Sequence, residues 1–212
     1  MLALRLAAAC LLLTLAAATA TSQPAANPVV VIDTSMGAVK VELYADKAPL
    51  TVKNFLDYVD AKHYDGTVFH RVIGKENSGK DFMIQGGGFD GATRKEKDTR
   101  GGVKNEAGNG LTNARGTLAM ARTNDPDSAT AQFFINVADN KFLDRGEADP
   151  SGYTVFGRVV EGMPVVDRIK AVRTGTAEFE SKSRLGGLVK GKMSDVPVED
   201  VTIKSIRRAN AK

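Results

Sequence analysis

The sequence predicts an all-β-dominated domain, a closed eight-stranded antiparallel β-barrel capped by two α-helices. Three observations carry this. About eight short runs of β-branched or alternating residues are separated by long Gly-rich connections, only two segments have helical periodicity, and strands and helices do not alternate at the spacing of a doubly wound sheet. The chain has 212 residues, 42% hydrophobic and 25% charged, which suits one domain with a core of its own.

The domain is expected over residues 28–209. Ahead of it, residues 1–20 read as a secretory signal peptide. Arg5 is the one charge before the apolar run 6–18, and Ala18-Thr19-Ala20 offers small residues where a signal peptidase reads. The run is too short for a good transmembrane helix. Cleavage after Ala20 removes Cys10, the single cysteine, and with it any thiol or disulfide chemistry. A lipid on Cys10 is the alternative. Residues 21–27 read as a flexible linker and 210–212 as a disordered tail.

Residues 29–34 are a β-branched run, and Val39, Val41 and Leu43 alternate with Lys40 and Glu42. Ser35-Met36-Gly37 turns the chain between them, so the domain opens on a hairpin. Pro49 starts a helix to about Asp60, with Val52, Phe55, Leu56 and Val59 on one face. Strands follow at 68–73 and 82–85, the second stopped by Gly86-Gly87-Gly88. The polar residues 74–80 between them read as a loop. Residues 91–110 form a long Gly-rich loop, of the kind that tends to be functional. Further strands are expected at 117–121, 133–137 and 155–160. Gly162-Met163-Pro164 opens the second helix, with Val165, Val166, Ile169 and Val172 inward. Residues 174–196 read as a surface excursion and 198–206 as the last strand. Phe55, Leu56, Phe69, Ile84, Phe133, Ile135 and Phe156 are assigned to the core.

Several function classes drop out. The net charge is +4, with acidic and basic residues interleaved, which describes a solvated surface and not a nucleic-acid partner. His63 and His70 are the only histidines and have no further ligands at metal spacing, so no metal is expected. His70 reads as a structural hydrogen bonder. Gly86-Gly87-Gly88 is followed by neither Lys-Ser/Thr nor a helix, so it is no phosphate loop, and Ser128 lacks the Gly-x-Ser-x-Gly frame of a hydrolase. No cofactor is expected.

Six segments resemble the cyclophilin family, in its order and roughly its spacing. They are Phe69-His70-Arg71-Val72-Ile73, Phe82-Met83-Ile84-Gln85-Gly86-Gly87-Gly88-Phe89, Gly116-Thr117-Leu118-Ala119-Met120-Ala121, Ser128-Ala129-Thr130-Ala131-Gln132-Phe133-Phe134-Ile135-Asn136, Phe142-Leu143-Asp144 and Val155-Phe156-Gly157. The resemblance spans about residues 30–206 and is strongest to bacterial exported cyclophilins. It implies a peptidyl-prolyl cis-trans isomerase with a substrate groove on the outside of the barrel. It matches Arg71 to the family's catalytic arginine, with Gln85 beside it. Phe82, Met83, Gln85, Ala121, Gln132, Phe134 and Leu143 match groove residues. Arg122, Phe142 and Tyr153 stand where the best-known eukaryotic members have Asn, Trp and His. Phe142 lacks the indole N–H, which argues against strong binding of cyclosporin.

These residue types suit the chemistry. Rotation about an X-Pro bond breaks no bond but opposes amide resonance, a barrier of about 18–20 kcal/mol. In the twisted state the prolyl nitrogen regains a lone pair, and a fixed donor aimed at it stabilises that state alone. Arg71 is the expected donor, Gln85 is expected to hold Arg71 or the substrate carbonyl, and Phe82, Met83, Phe134 and Leu143 are expected to seat the proline ring. Backbone groups near Arg122 are expected to pair with the extended peptide. The partners implied are proline-containing segments of folding exported proteins, with no nucleic acid and no membrane span after signal removal. The protein is expected as a periplasmic monomer, with secretion beyond the periplasm as the alternative. Rival readings are a proline-segment chaperone or scaffold, and a client-specific assembly factor using 74–80 and 174–196.

Overall fold

The computed structural model describes residues 26–183 and 186–209. The expected signal peptide with Cys10, linker residues 21–25 and the tail 210–212 lie outside the described residues.

β1 (Val29–Thr34) and β2 (Gly37–Leu43) form the predicted hairpin, and α1 (Pro49–Asp60) follows with proline in its first turn. Then come β3 (Thr67–Ile73), the short α2 (Lys75–Ser78), β4 (Met83–Asp90), β5 (Thr117–Met120) and β6 (Phe133–Asn136). A 3-10 turn at Lys141–Leu143 precedes β7 (Val155–Glu161) and α3 (Met163–Lys170), after which β8 (Thr174–Lys182), β9 (Leu188–Pro197) and β10 (Thr202–Arg208) complete the order. Eight strands close the barrel in the order β1-β10-β3-β4-β6-β5-β7-β2, each neighbouring pair antiparallel. Among the described residues no helix is long and apolar enough to cross a membrane.

All seven side chains assigned to the core are buried in the barrel cluster. Phe55 of α1 reaches into it, its ring 5.6 Å from Phe133 and 5.2 Å from both Tyr64 and Phe156. Val166 and Ile169 of α3 join the same cluster, with Val165 and Val172 partly buried against it. Burial of this apolar surface is the main stabilising term.

Three expectations need correction. Gly86-Gly87-Gly88 does not stop β4; the strand runs through all three. A Cβ on Gly86 would lie 3.0 Å from the Phe69 ring, and one on Gly88 would lie 2.5 Å from Gln132. Gly87 takes φ +85° beneath Tyr64. The glycines therefore permit a bulged strand to press close to its neighbours.

Residues 74–80 are not a plain loop but carry α2, whose polar turn offered no periodicity to read. The Asp81 carboxylate accepts from Lys75 N–H at 2.8 Å, and Asn77 donates to Val172 O at 2.7 Å, tying the turn to the end of α3. The excursion 174–196 is likewise ordered, as a two-stranded β8–β9 sheet outside the barrel. Its largest buried side chain, Phe179, packs T-shaped on Phe89 at 4.9 Å.

Candidate active site

Local pairing builds the site. Arg71 pairs with Gln85, Gln85 with Phe134, Phe134 with Ala119, and Ala119 with Val155, so one row crosses β3, β4, β6, β5 and β7. Along β6, Phe133 and Ile135 enter the barrel core, while Phe134 joins a second cluster with Ile73, Met83, Ala119, Leu143 and Val155. Period-2 alternation puts that second cluster on the outer face of the barrel wall.

β3 needs more than alternation. Phe69 faces the core and Arg71 faces the site, although residues two apart on a regular strand share a face. The ladder explains it. Arg71 pairs with Gln85 and Phe69 with Gly86, so His70 is an extra residue, a bulge that reverses the faces. The His70 ring tucks against Phe89 at 4.7 Å, and its buried Nδ1 has no hydrogen-bond partner among the described residues. The expected structural hydrogen bonder is also a packing residue, its ring hydrogen-bonding with the Val68 backbone and the Gln132 side chain. Burial pushes its pKa down to about 4.

A cleft of about 250 Å³ opens on the outer face. Arg71, Phe82, Met83, Gln85, Ala121, Arg122, Phe134, Leu143 and Tyr153 line it, nine of the eleven predicted site residues. Met83, Phe134 and Leu143 are nearly fully buried and make a dry floor. The side chain of Arg71 is 41% exposed at the rim, and Asp195 Oδ2 lies 3.8 Å from its Nε.

The other two stand beside the cleft. Gln132 accepts a 2.9 Å hydrogen bond from Gln85 Nε2. Gln85 is therefore tied to Gln132 and not to Arg71, the first of its two expected partners, the substrate carbonyl being the other. Phe142 sits on the 3-10 turn, 48% exposed, its ring 5.5 Å from Phe82. It contacts the cleft residue Phe82 and does not itself line the cleft.

At Arg122 the expected peptide pairing concerned backbone groups, and the side chain has partners of its own. That side chain is only 3% exposed, at the edge of the cleft that the residue helps to line. Nη2 donates to Asp149 Oδ2 at 2.5 Å and to Gly152 O at 3.0 Å, and Nη1 donates to Thr123 O at 2.9 Å. The hydrogen bond from Arg122 holds the Asp149 carboxyl below its ordinary range. Arg122 acts as a clip on residues 149–153 and so on Tyr153.

A buried network that the sequence reading missed sets the floor. Asn140 donates to Phe82 O at 2.8 Å and to Asn136 Oδ1 at 2.7 Å. Asn136 donates to Asn113 Oδ1 at 3.2 Å, and Asn113 Nδ2 donates to Asp144 at 2.9 Å. These amides join β4, β6 and the 3-10 turn beneath the pocket. Asn136, between Ile135 and Val137, was the available signal, since a buried amide must find partners. The cleft thus combines one cationic donor, one bridged amide and an apolar floor, which suits seating a small ring beside a polarised amide.

The family model described as cyclophilin type peptidyl-prolyl cis-trans isomerase matches residues 29–208. A peptidyl-prolyl cis-trans isomerase of Acinetobacter baylyi is 56% identical over 151 residues, 71% of this chain and 76% of its own. Peptidyl-prolyl cis-trans isomerase B of Escherichia coli is 51% identical over 179 residues, 84% of this chain and 97% of its own. A cyclophilin-type isomerase of Cryptosporidium parvum superposes with a TM-score of 0.65, covering 88% of this chain and 99% of that one. At 24% identity the last likeness is one of fold.

Proposed function

The chain belongs to the cyclophilin-type peptidyl-prolyl cis-trans isomerases and catalyses rotation about X-Pro bonds, and we propose that it does so by presenting Arg71 to the twisted amide above the pocket of Phe82, Met83, Phe134 and Leu143. The observation that carries the mechanism is the cross-strand neighbourhood of Arg71, Gln85 and Phe134, a charged donor, an amide and an apolar floor on one face.

The proline ring seats on the floor and anchors one side of the bond. The N–H groups of Arg71 face a prolyl nitrogen whose lone pair exists only in the twisted state, so they lower the barrier without tightening the ground state. Millisecond turnover asks for roughly 5–6 kcal/mol from this arrangement. With one Gln85 Nε2 N–H engaged by Gln132, its second N–H can donate to a substrate carbonyl and its Oε1 can accept a substrate N–H. Binding needs no metal or cofactor in this scheme, since no covalent bond changes.

The clients we propose are folding proteins outside the cytoplasm, met in the periplasm by a monomer. The support is the apolar run 6–18 followed by Ala18-Thr19-Ala20. Exchange NMR on a short X-Pro peptide tests the mechanism. Wild type is expected to accelerate exchange, and Arg71→Ala to lower kcat/KM about tenfold or more while staying folded. A rate no faster than buffer, or an unaffected variant, sinks it. N-terminal sequencing of protein from a periplasmic fraction tests export. A mature start near Thr21 supports it, and an intact Met1 confined to the cytoplasm refutes it.

A further inference from the structure

We propose that Asp195, carried on the β8–β9 hairpin, is a positioning residue that sets the direction of the Arg71 guanidinium. The proposal rests on Arg71 being the catalytic side chain.

The hairpin is built to deliver this carboxylate. β8 and β9 pair without interruption from Lys182↔Leu188 to Ala177↔Met193, and the ladder resumes at Gly175↔Val196. Ser194 and Asp195 together therefore oppose Thr176 alone, which is a β-bulge. Bulges re-aim side chains beside active sites. Asp195 takes φ +59°, the left-handed region where Asp and Asn are tolerated best among non-glycine residues. The next residue, Val196, is buried with Val68, Phe89 and Phe179. The bulge is thus pinned against β3, the strand that carries Arg71.

Asp195 Oδ2 lies 3.8 Å from Arg71 Nε, and the Ser194 hydroxyl donates to the same oxygen at 3.3 Å. Among the described residues Asp195 is the one acidic group within ion-pair range of Arg71. The two side chains are 41% and 30% exposed, so the pair adds little to fold stability. Its consequence is geometric. A guanidinium has one N–H on Nε and four on its two Nη atoms. A carboxylate on the Nε side leaves both Nη groups for the cleft and narrows the rotamers of a long, flexible side chain.

Two variants suit the backbone at this position. Asp195→Asn removes the charge and keeps size and left-handed tolerance, and Asp195→Gly removes the side chain where positive φ costs glycine nothing. Both are expected to lower kcat about threefold to fivefold with KM and thermal midpoint unchanged, the scale of an exposed ion pair. In an Arg71→Ala background neither is expected to change the residual rate, because the effect runs through Arg71. An unchanged rate in either single variant overturns the proposal, as does an equal loss with and without Arg71. If Arg71→Ala itself keeps the wild-type rate, the catalytic assignment of Arg71 fails first. A failure of Asp195 alone leaves that assignment standing.

Discussion

The Arg122 guanidinium lies 4.3 Å from the centre of the Tyr153 ring while its Nη2 donates to Asp149. One side chain thereby holds both the loop 149–152 and the aromatic wall of the cleft. A planar fork is needed, because three hydrogen-bonding directions and a stacked face are used together. Arg122→Leu is expected to raise KM about fivefold with kcat within about twofold, since it loosens a wall and leaves the donor Arg71 in place. Arg122→Lys is expected not to restore KM. Steady-state kinetics on an X-Pro peptide check both, and an unchanged KM in Arg122→Leu refutes the clip.

Stability is expected to fall as pH drops from about 6.5 to about 4. Burial lowers His70 from 6.5 to about 4, and burial with nearby Lys97 lowers half-buried His63 to about 4 as well. Between those values the unfolded chain binds protons that the folded chain does not, so stability declines with falling pH and is level above about 7. His70 alone accounts for about 3 kcal/mol of that decline. The carboxylates held low by arginine or lysine partners, such as Asp65 and Asp81, lose their contribution only as pH falls below the ordinary carboxylate range. Urea midpoints at several pH values, with wild type and His70→Phe, measure the slope. A midpoint that does not move between pH 7 and pH 4.5 contradicts it.

Two neighbouring glycines are expected to fail differently. Gly87 has φ +85° and its Cβ would meet Tyr64 at 2.8 Å, where Tyr64 is pinned by a 2.9 Å hydrogen bond to Ala131 O. Gly87→Ala is expected to cost about 2 kcal/mol or more of stability. A Cβ on Gly88 would instead strike the half-buried Gln132 side chain, which bridges Gln85. Gly88→Ala is expected to lower kcat/KM about threefold or more, with the smaller stability loss of the two. Chemical unfolding alongside kinetics separates them, and equal stability losses contradict the assignment.

Phe179 ties the outer hairpin to the barrel through Phe89. Phe179→Ala is expected to cost about 3 kcal/mol or more and to expose β8 and β9 to protease before the barrel unfolds. Limited proteolysis with mass spectrometry checks this. A hairpin no more susceptible than in wild type would show that other contacts hold it.

Much of this molecule was legible in one dimension. β1, β2 and α1 followed from β-branched runs, alternation and a first-turn proline. The motif segments marked Arg71, Phe82, Met83, Phe134 and Leu143, all of which meet in one cleft. Even the division of β6 between core and site is written in its period of two.

What the sequence determined by itself were the features that depend on near neighbours in the chain, the hydrophobic period, the turn residues and the chemical types in the site. The opposite faces of Phe69 and Arg71 were decided by the partner strand, because a bulge exists only relative to a ladder. The passage of β4 through three glycines was decided by the side chains of Phe69, Tyr64 and Gln132, residues near in space and distant in sequence. The β8–β9 hairpin has polar residues on both faces and one buried phenylalanine, so no period announced it. It is ordered by contact with β3 and Phe89. The turn of Arg122 toward Asp149 and the approach of Asp195 to Arg71 belong to the same class. The energy of a charge depends on which groups the folded chain sets beside it, and that placement belongs to the tertiary structure.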